Sequence, residues 1–195
     1  MSDRLFFALW PDPVLRQALR ARVDEIAASI EGKQQRPDQW HVTLEFLGQV
    51  PRERQLSLRA AADRVSRSPV TIEFDRVEHW RKPQVVCLVA SRVPPGLAAV
   101  VTQLHAALLE EGFTLDARPF YPHLTLARKV RAAADVLLEP PIVWRSNGYA
   151  LVRSATDPAG SRYEPLHWWN HAVEGGRETG GSRQFFGPPA GRAVE

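Results

Sequence analysis

Two four-residue stretches carry side chains suited to proton transfer beside an anion: His41-Val42-Thr43-Leu44 and His123-Leu124-Thr125-Leu126. Each lies in a run of β-branched and apolar residues with period two, HVTLEFLG and HLTLAR, which is strand chemistry. Successive strand side chains point to opposite faces, so His and Thr share one face while Val42 and Leu44, or Leu124 and Leu126, take the other. Set around one small anion, paired imidazoles and hydroxyls can donate to phosphoryl oxygens. A neutral His then deprotonates water and a protonated His donates to a departing oxygen. An imidazole titrates near neutrality, so both states coexist. A phosphodiester needs this arrangement: a nucleophile on one side, a leaving oxygen on the other, and charge stabilisation between. No cluster of Asp and Glu at metal-ligand spacing accompanies the motifs, and the expectation is chemistry without a metal or cofactor.

The elements around the two motifs also repeat. RLFFALW begins 37 residues before His41 and VVCLVAS begins 38 residues before His123, each followed by a Pro-rich turn and an amphipathic stretch. This degenerate duplication predicts two similar lobes that face each other. In chain order, a buried strand over 4–10 leads through Pro11-Asp12-Pro13 into a helix reaching about Ile30, with Asp12 as N-cap. A polar loop precedes the strand 40–48, with Gly48 at its end, and a second helix extends from Pro51 to about Val65. VTIEFDRVEHW and QVVCLVAS read as an antiparallel pair, and Pro94-Pro95-Gly96 opens a third helix. After the second motif a short helix near 131–138 is expected to stop at Pro140-Pro141, followed by two terminal strands. The stretch 174–195 is rich in Gly and Pro without periodicity and reads as a disordered tail beyond a domain spanning 1–173.

Composition narrows the setting. A chain of 195 residues, 44% hydrophobic and 24% charged, can bury one substantial core. The single Cys87 excludes an intramolecular disulfide and sits in the apolar run VVCLVA, which marks it as a small buried hydrophobe rather than a nucleophile. With no long apolar span and no leader pattern, a cytoplasmic monomer without membrane contact is the expectation. The basic residues are 22 Arg against 3 Lys, a bias compatible with a nucleotide or RNA ligand but equally with genome base composition.

The paired motifs resemble those of the two-histidine phosphoesterase superfamily, and specifically its RNA 2′,3′-cyclic 3′-phosphodiesterase (2′-5′ RNA ligase-like) branch. The resemblance spans about residues 4–168 and rests on RLFFALWPD, RPDQWHVTLEFLGQV, YPHLTLARKV and LVRSATDPAGSRYEPL, which follow in the family's order. It implies an α+β fold of two pseudo-symmetric lobes, each an antiparallel sheet backed by helices, with the motifs lining a central cleft. It also implies opening of an RNA 2′,3′-cyclic phosphate end to a 2′-phosphate, with 2′-5′ ligation as the same steps run backwards. By resemblance, His41 is the general acid toward the departing 3′ oxygen, His123 is the base that activates water, and Thr43 and Thr125 hold the phosphate. Arg128 matches the family's HxTLxR pattern and adds positive charge there. Strict alternation puts Arg128 on the face opposite His123, so this role requires a bulge or a strand end.

Other residues read less sharply. Tyr121, at a position where the family also carries Arg, either stacks a base or packs. Phe6 and Phe46 read as core, with a place bordering the cleft as the alternative, and Glu45 by alternation shares the His41 face. His79 and His105 lack partners and read as surface residues, while His167 and His171 have helical metal spacing inside a strand-like run. Two alternatives stay open: a phosphodiesterase for a small cyclic nucleotide of the ADP-ribose 1″,2″-cyclic phosphate type, and a non-catalytic RNA-binding module.

Overall fold

The computed structural model describes residues 1–157 and 160–170; the 174–195 segment and His171 lie outside the described residues. The elements run β1 (Ser2–Leu9), α1 (Pro13–Ala27), β2 (Lys33–Gln34), β3 (Val42–Pro51), α2 (Gln55–Asp63), β4 (Val70–Trp80), β5 (Val85–Val89), α3 (Pro95–Glu110), β6 (His123–Arg128), β7 (Val136–Ser146), β8 (Gly148–Asp157) and β9 (Gly160–Asn170). Helix α1 starts as its sequence dictates: the Asp12 carboxylate accepts from the Leu15 N–H at 2.7 Å, with Pro13 in the first turn. Such a cap is worth about 1 kcal/mol. None of the helices among the described residues is long and apolar enough to cross a membrane.

The fold is α+β, and its strands form one antiparallel sheet in the order β7-β4-β5-β6-β3-β1-β8-β9, with β2 added beside β6. The sheet has two halves, β7-β4-β5-β6 and β3-β1-β8-β9, each with a motif strand at its inner edge. A single registered pair, Val42 with Leu124, joins them. Around that pair the order is pseudo-symmetric: β1-α1-β3 in one half repeats as β5-α3-β6 in the other. The helices cover one face only, where a continuous apolar cluster containing Leu5, Phe7, Val42, Leu88 and Leu124 runs under both halves. Two smaller clusters lie on the other face, Phe6, Ala8, Trp10, Ala150 and Val152 in one half and Val85, Cys87 and Val89 in the other.

One expected element is absent. Residues 136–146 are a single strand that continues through Pro140 and Pro141, where a helix ending at those prolines was predicted. Strand β7 is a sheet edge, so half of its N–H groups have no partner strand to reach and the prolines forfeit little. Pro165 is accommodated in the same way in β9, the opposite edge. Gly48 does not end its strand: β3 continues to Pro51, and Gly48 takes a left-handed φ of 68° within it.

Candidate active site

The pairing of Val42 with Leu124 determines how the motifs meet. In an antiparallel ladder it sets His41 across from Thr125 and Thr43 across from His123, so both histidines and both threonines share one patch of the helix-free face. Each imidazole is oriented by the same local bond. His41 Nδ1 lies 2.7 Å from the Gln39 carbonyl, and His123 Nδ1 lies 2.8 Å from the Tyr121 carbonyl. A carbonyl only accepts, so Nδ1 carries the hydrogen and the neutral ring keeps Nε2 as its free acceptor.

Aromatic walls back both rings. His41 stacks on Trp10 at 5.3 Å and 8°, with Phe6 and Tyr163 each at 5.0 Å. His123 packs against Trp80 at 4.6 Å. Burial disfavours the imidazolium at each site. It pushes His41 down to about 4, against the opposing pull of the Gln39 carbonyl and helped by the nearby His123 and Arg128 charges. His123 is also lowered, by burial first and then by Arg128.

Arg128 reaches this patch because β6 bulges. Cys87 pairs with Thr125 while Val86 pairs with Ala127, which leaves Leu126 as an extra residue. Leu126 and Ala127 both enter the core, alternation resets, and Arg128 emerges on the histidine face. Strand β3 does the same one motif earlier. Ala8 pairs with Thr43 and Phe7 with Glu45, so Leu44 is extra. Two expectations change as a result. Glu45 does not share the His41 face; it is turned into the core side at 5% exposure, where its Oε2 is 2.5 Å from His105 Nε2 on α3. Burial raises its carboxyl above the usual range, with His105 and the Asp116 N–H opposing. Phe46 is not core: it pairs with Phe6 on the cleft face, 45% exposed, with the Arg4 guanidinium 4.8 Å above its ring.

A cavity of about 300 Å³ gathers these groups on the β3 side, lined by His41, Thr43 and Arg128 with Arg4, Phe46 and Tyr163. Of the five expected site residues His41, Thr43 and Arg128 line this cavity, while the strand pairing sets His123 and Thr125 beside it on the same sheet face. Trp10, Tyr163, Trp80 and Arg4 around these motifs carry no signal in the sequence, because they lie in or next to strands whose neighbours the sequence does not announce. Cys87 meets expectation: it is buried beneath Thr125, 3.8 Å from Oγ1, and burial pushes its thiol up to about 12. His105 is not a lone surface residue, given its contact with Glu45, and His79 Nε2 meets the Val130 carbonyl at 3.2 Å. His167 packs on the Trp169 ring at 4.5 Å. Among the described residues, no group of three or more His, Cys, Asp or Glu is placed to hold a metal.

The geometry has parallels in known proteins. A family model described as LigT like Phosphoesterase matches residues 9–87. The chain is 31% identical over 171 residues to an RNA 2′,3′-cyclic phosphodiesterase of Escherichia coli (strain K12), covering 86% of this chain and 96% of that protein. It is 32% identical over 191 residues to an RNA 2′,3′-cyclic phosphodiesterase of Thermus thermophilus, covering 90% of this chain and 93% of that protein. Among solved structures, E. coli LigT complexed with 3′-AMP superposes with a TM-score of 0.73 at 28% identity, covering 89% of this chain and 100% of that one. With sequence likeness over nearly the whole length and the same fold around the paired motifs, the chain belongs to the LigT-like phosphoesterases of the two-histidine superfamily.

Proposed function

We propose that this protein opens RNA 2′,3′-cyclic phosphate ends to 2′-phosphates by general acid–base catalysis between His41 and His123. The observation that carries the reading is the matched orientation of the two imidazoles, each bonded through Nδ1 to the carbonyl two residues before it on facing strands. The names of its relatives in E. coli and T. thermophilus support the substrate.

In the proposed reaction, His123 Nε2 takes a proton from water as the water oxygen bonds to phosphorus. The bond from phosphorus to the 3′ oxygen breaks, and His41 Nε2 gives that oxygen a proton. Thr43, Thr125 and Arg128 hold the non-bridging oxygens. Burial leaves both free imidazoles short of protons, and the negative phosphate offsets that penalty when it binds, so the acid is charged in the complex.

The test is incubation of the protein, with EDTA present, with a short RNA ending in a 2′,3′-cyclic phosphate, followed by identification of the terminal isomer. A 2′-phosphate is expected. A 3′-phosphate would exchange the leaving oxygen, and no turnover would remove the reading.

A further inference from the structure

The cleft carries more positive charge than one phosphate needs, and that charge is gathered at one end. Trp80 pairs with Val85, Val85 with Arg128 and Arg128 with Lys33, so the four form a single row across β4, β5, β6 and β2. Paired residues in an antiparallel sheet share a face, and Trp80 packs on His123, which puts the row on the cleft face. At about 4.8 Å per strand it spans roughly 14 Å. Lys33 and Arg128 stand directly opposite each other, a placement in which like charges repel and an anion between them is favoured. Gly32 makes the approach possible. A Cβ there would come within 2.9 Å of the Arg128 carbonyl oxygen and 2.7 Å of a Val130 methyl, so the chain entering β2 presses closely on the end of β6.

Past the row, two connections continue the charge. The β4–β5 turn supplies Arg81 and Lys82, and the chain leaving β6 supplies Lys129 and Arg131, all four exposed. The Val130 N–H donates to the Gln84 carbonyl at 3.0 Å and ties the two connections together. Gln84 and Lys129 hold left-handed φ angles of 54° and 58°, which residues with a side chain seldom adopt. Such conformations persist where the surroundings over-determine them, and they gather at binding sites. Among the described residues, Arg81, Lys82, Arg128, Lys129 and Arg131 form no ion pair. The matching end of the other half is neutralised instead: Arg4 lies over the Phe46 ring, and Arg52 and Arg153 reach the Asp3 carboxylate at 3.1 and 3.9 Å.

A fixed run of cations that begins beside the reacting phosphate fits a polyanion rather than a single charge. We propose that Lys33, Arg81, Lys82, Arg128, Lys129 and Arg131 form a track for the backbone of the RNA strand on the 5′ side of the cyclic phosphate. The inference deepens the functional reading above and rests on it. Arg128 holds the terminal phosphate, and the internucleotide phosphates behind it lie over Lys33 and the two connections. Backbone contacts carry no base information, so the track selects for chain length and not for sequence. A cyclic mononucleotide has no further phosphate to place there.

The experiment compares a 2′,3′-cyclic mononucleotide with a short RNA ending in the same cyclic nucleotide, by kcat/KM at graded salt. For the wild type, log kcat/KM of the RNA is expected to fall more steeply with log salt, by about 0.7 for each phosphate held. Arg81→Gln with Lys82→Gln, and Lys129→Asn with Arg131→Gln, should each lower kcat/KM for the RNA about tenfold through KM. Each pair should also make the salt slope shallower by about 1.4, the share of two contacts. Asn suits the left-handed backbone at position 129. Both pairs should keep wild-type activity on the mononucleotide, which shows that they are folded. Arg20→Gln with Arg22→Gln removes the same charge from α1, on the other face of the sheet, and should change neither substrate. An RNA rate unmoved by both track pairs, a loss shared equally by the mononucleotide, or an equal loss in the α1 pair would overturn the track while leaving the functional reading intact. No hydrolysis of either substrate by the wild type would overturn the two together.

Discussion

Phe46 and Arg128 occupy equivalent places: each follows its histidine by five residues, and each reaches the cleft because its strand bulges at the motif leucine. The backbone of the two halves is therefore alike while the chemistry at its end is not. One half presents an exposed ring under the Arg4 guanidinium, and the other presents a cation that lowers both histidine pKa values. A pseudo-symmetric frame can hold a single substrate in one orientation only if something breaks the symmetry, and this pair does so.

Arg128 is exposed and outside the core, so its replacement should change kinetics rather than stability. Arg128→Met is expected to lower kcat/KM about 10- to 100-fold, the scale of a charge-assisted hydrogen bond worth roughly 1.5–3 kcal/mol. Arg128→Lys, which keeps the charge but not the planar fork, should fall between. The urea midpoint of both should match the wild type. Unaltered kinetics in Arg128→Met would place this side chain outside the phosphate site.

His41→Ala and His123→Ala should each reduce hydrolysis by about 10²–10⁴-fold. Circular dichroism should remain native, because both rings sit on the cleft face rather than in the continuous core. Near-wild-type turnover in either variant would end the two-histidine mechanism.

The pH profile follows from burial. A productive free enzyme carries one proton on the histidine pair, and both pKa values are depressed, His41 to about 4. The maximum of kcat/KM is therefore expected on the acid side of 6.5 rather than at neutrality, while kcat, which reports the complex with the anion, peaks at higher pH. Stability carries the same signature with a fixed sign. Below 6.5 the unfolded chain binds a proton on His41 that the native ring refuses until about 4, so stability falls with pH across that window and the slope then vanishes. His41→Asn should flatten that part of the curve in urea titrations at graded pH.

Glu45 is a stability residue. Glu45→Ala removes the acceptor facing His105 and the Asp116 N–H, and a buried group left unpaired costs about 1–3 kcal/mol. Equilibrium urea unfolding should show a lower midpoint at unchanged slope. A midpoint equal to wild type would mean that water reaches both partners.

What could be read from the sequence rested on local rules. Alternation put His41 with Thr43 and His123 with Thr125, Asp12 and Pro13 announced a helix start, and the repeated strand, helix and motif announced two similar halves. These features depend on a residue and its near neighbours, so the linear order suffices. The course of residues 131–146 could not be read, since prolines stop a helix or sit in a strand according to whether that strand lies at an edge, and edge position is a property of the sheet.

The bulges at Leu44 and Leu126 belong to the same class. An extra residue appears only when two strands are set in register, and β1 against β3 and β5 against β6 are set by packing over the shared core. By strict alternation Glu45 faced the histidine and Arg128 faced away; the tertiary pairing turned Glu45 inward and supplied at Leu126 the bulge that the expected role of Arg128 required. The sequence thus determined which groups perform the chemistry, because proton transfer depends on residue type. Only the folded sheet decided that they meet, since the pairing of Val42 with Leu124, with β2 laid beside β6 and one core shared beneath, brings together motifs that the chain keeps far apart.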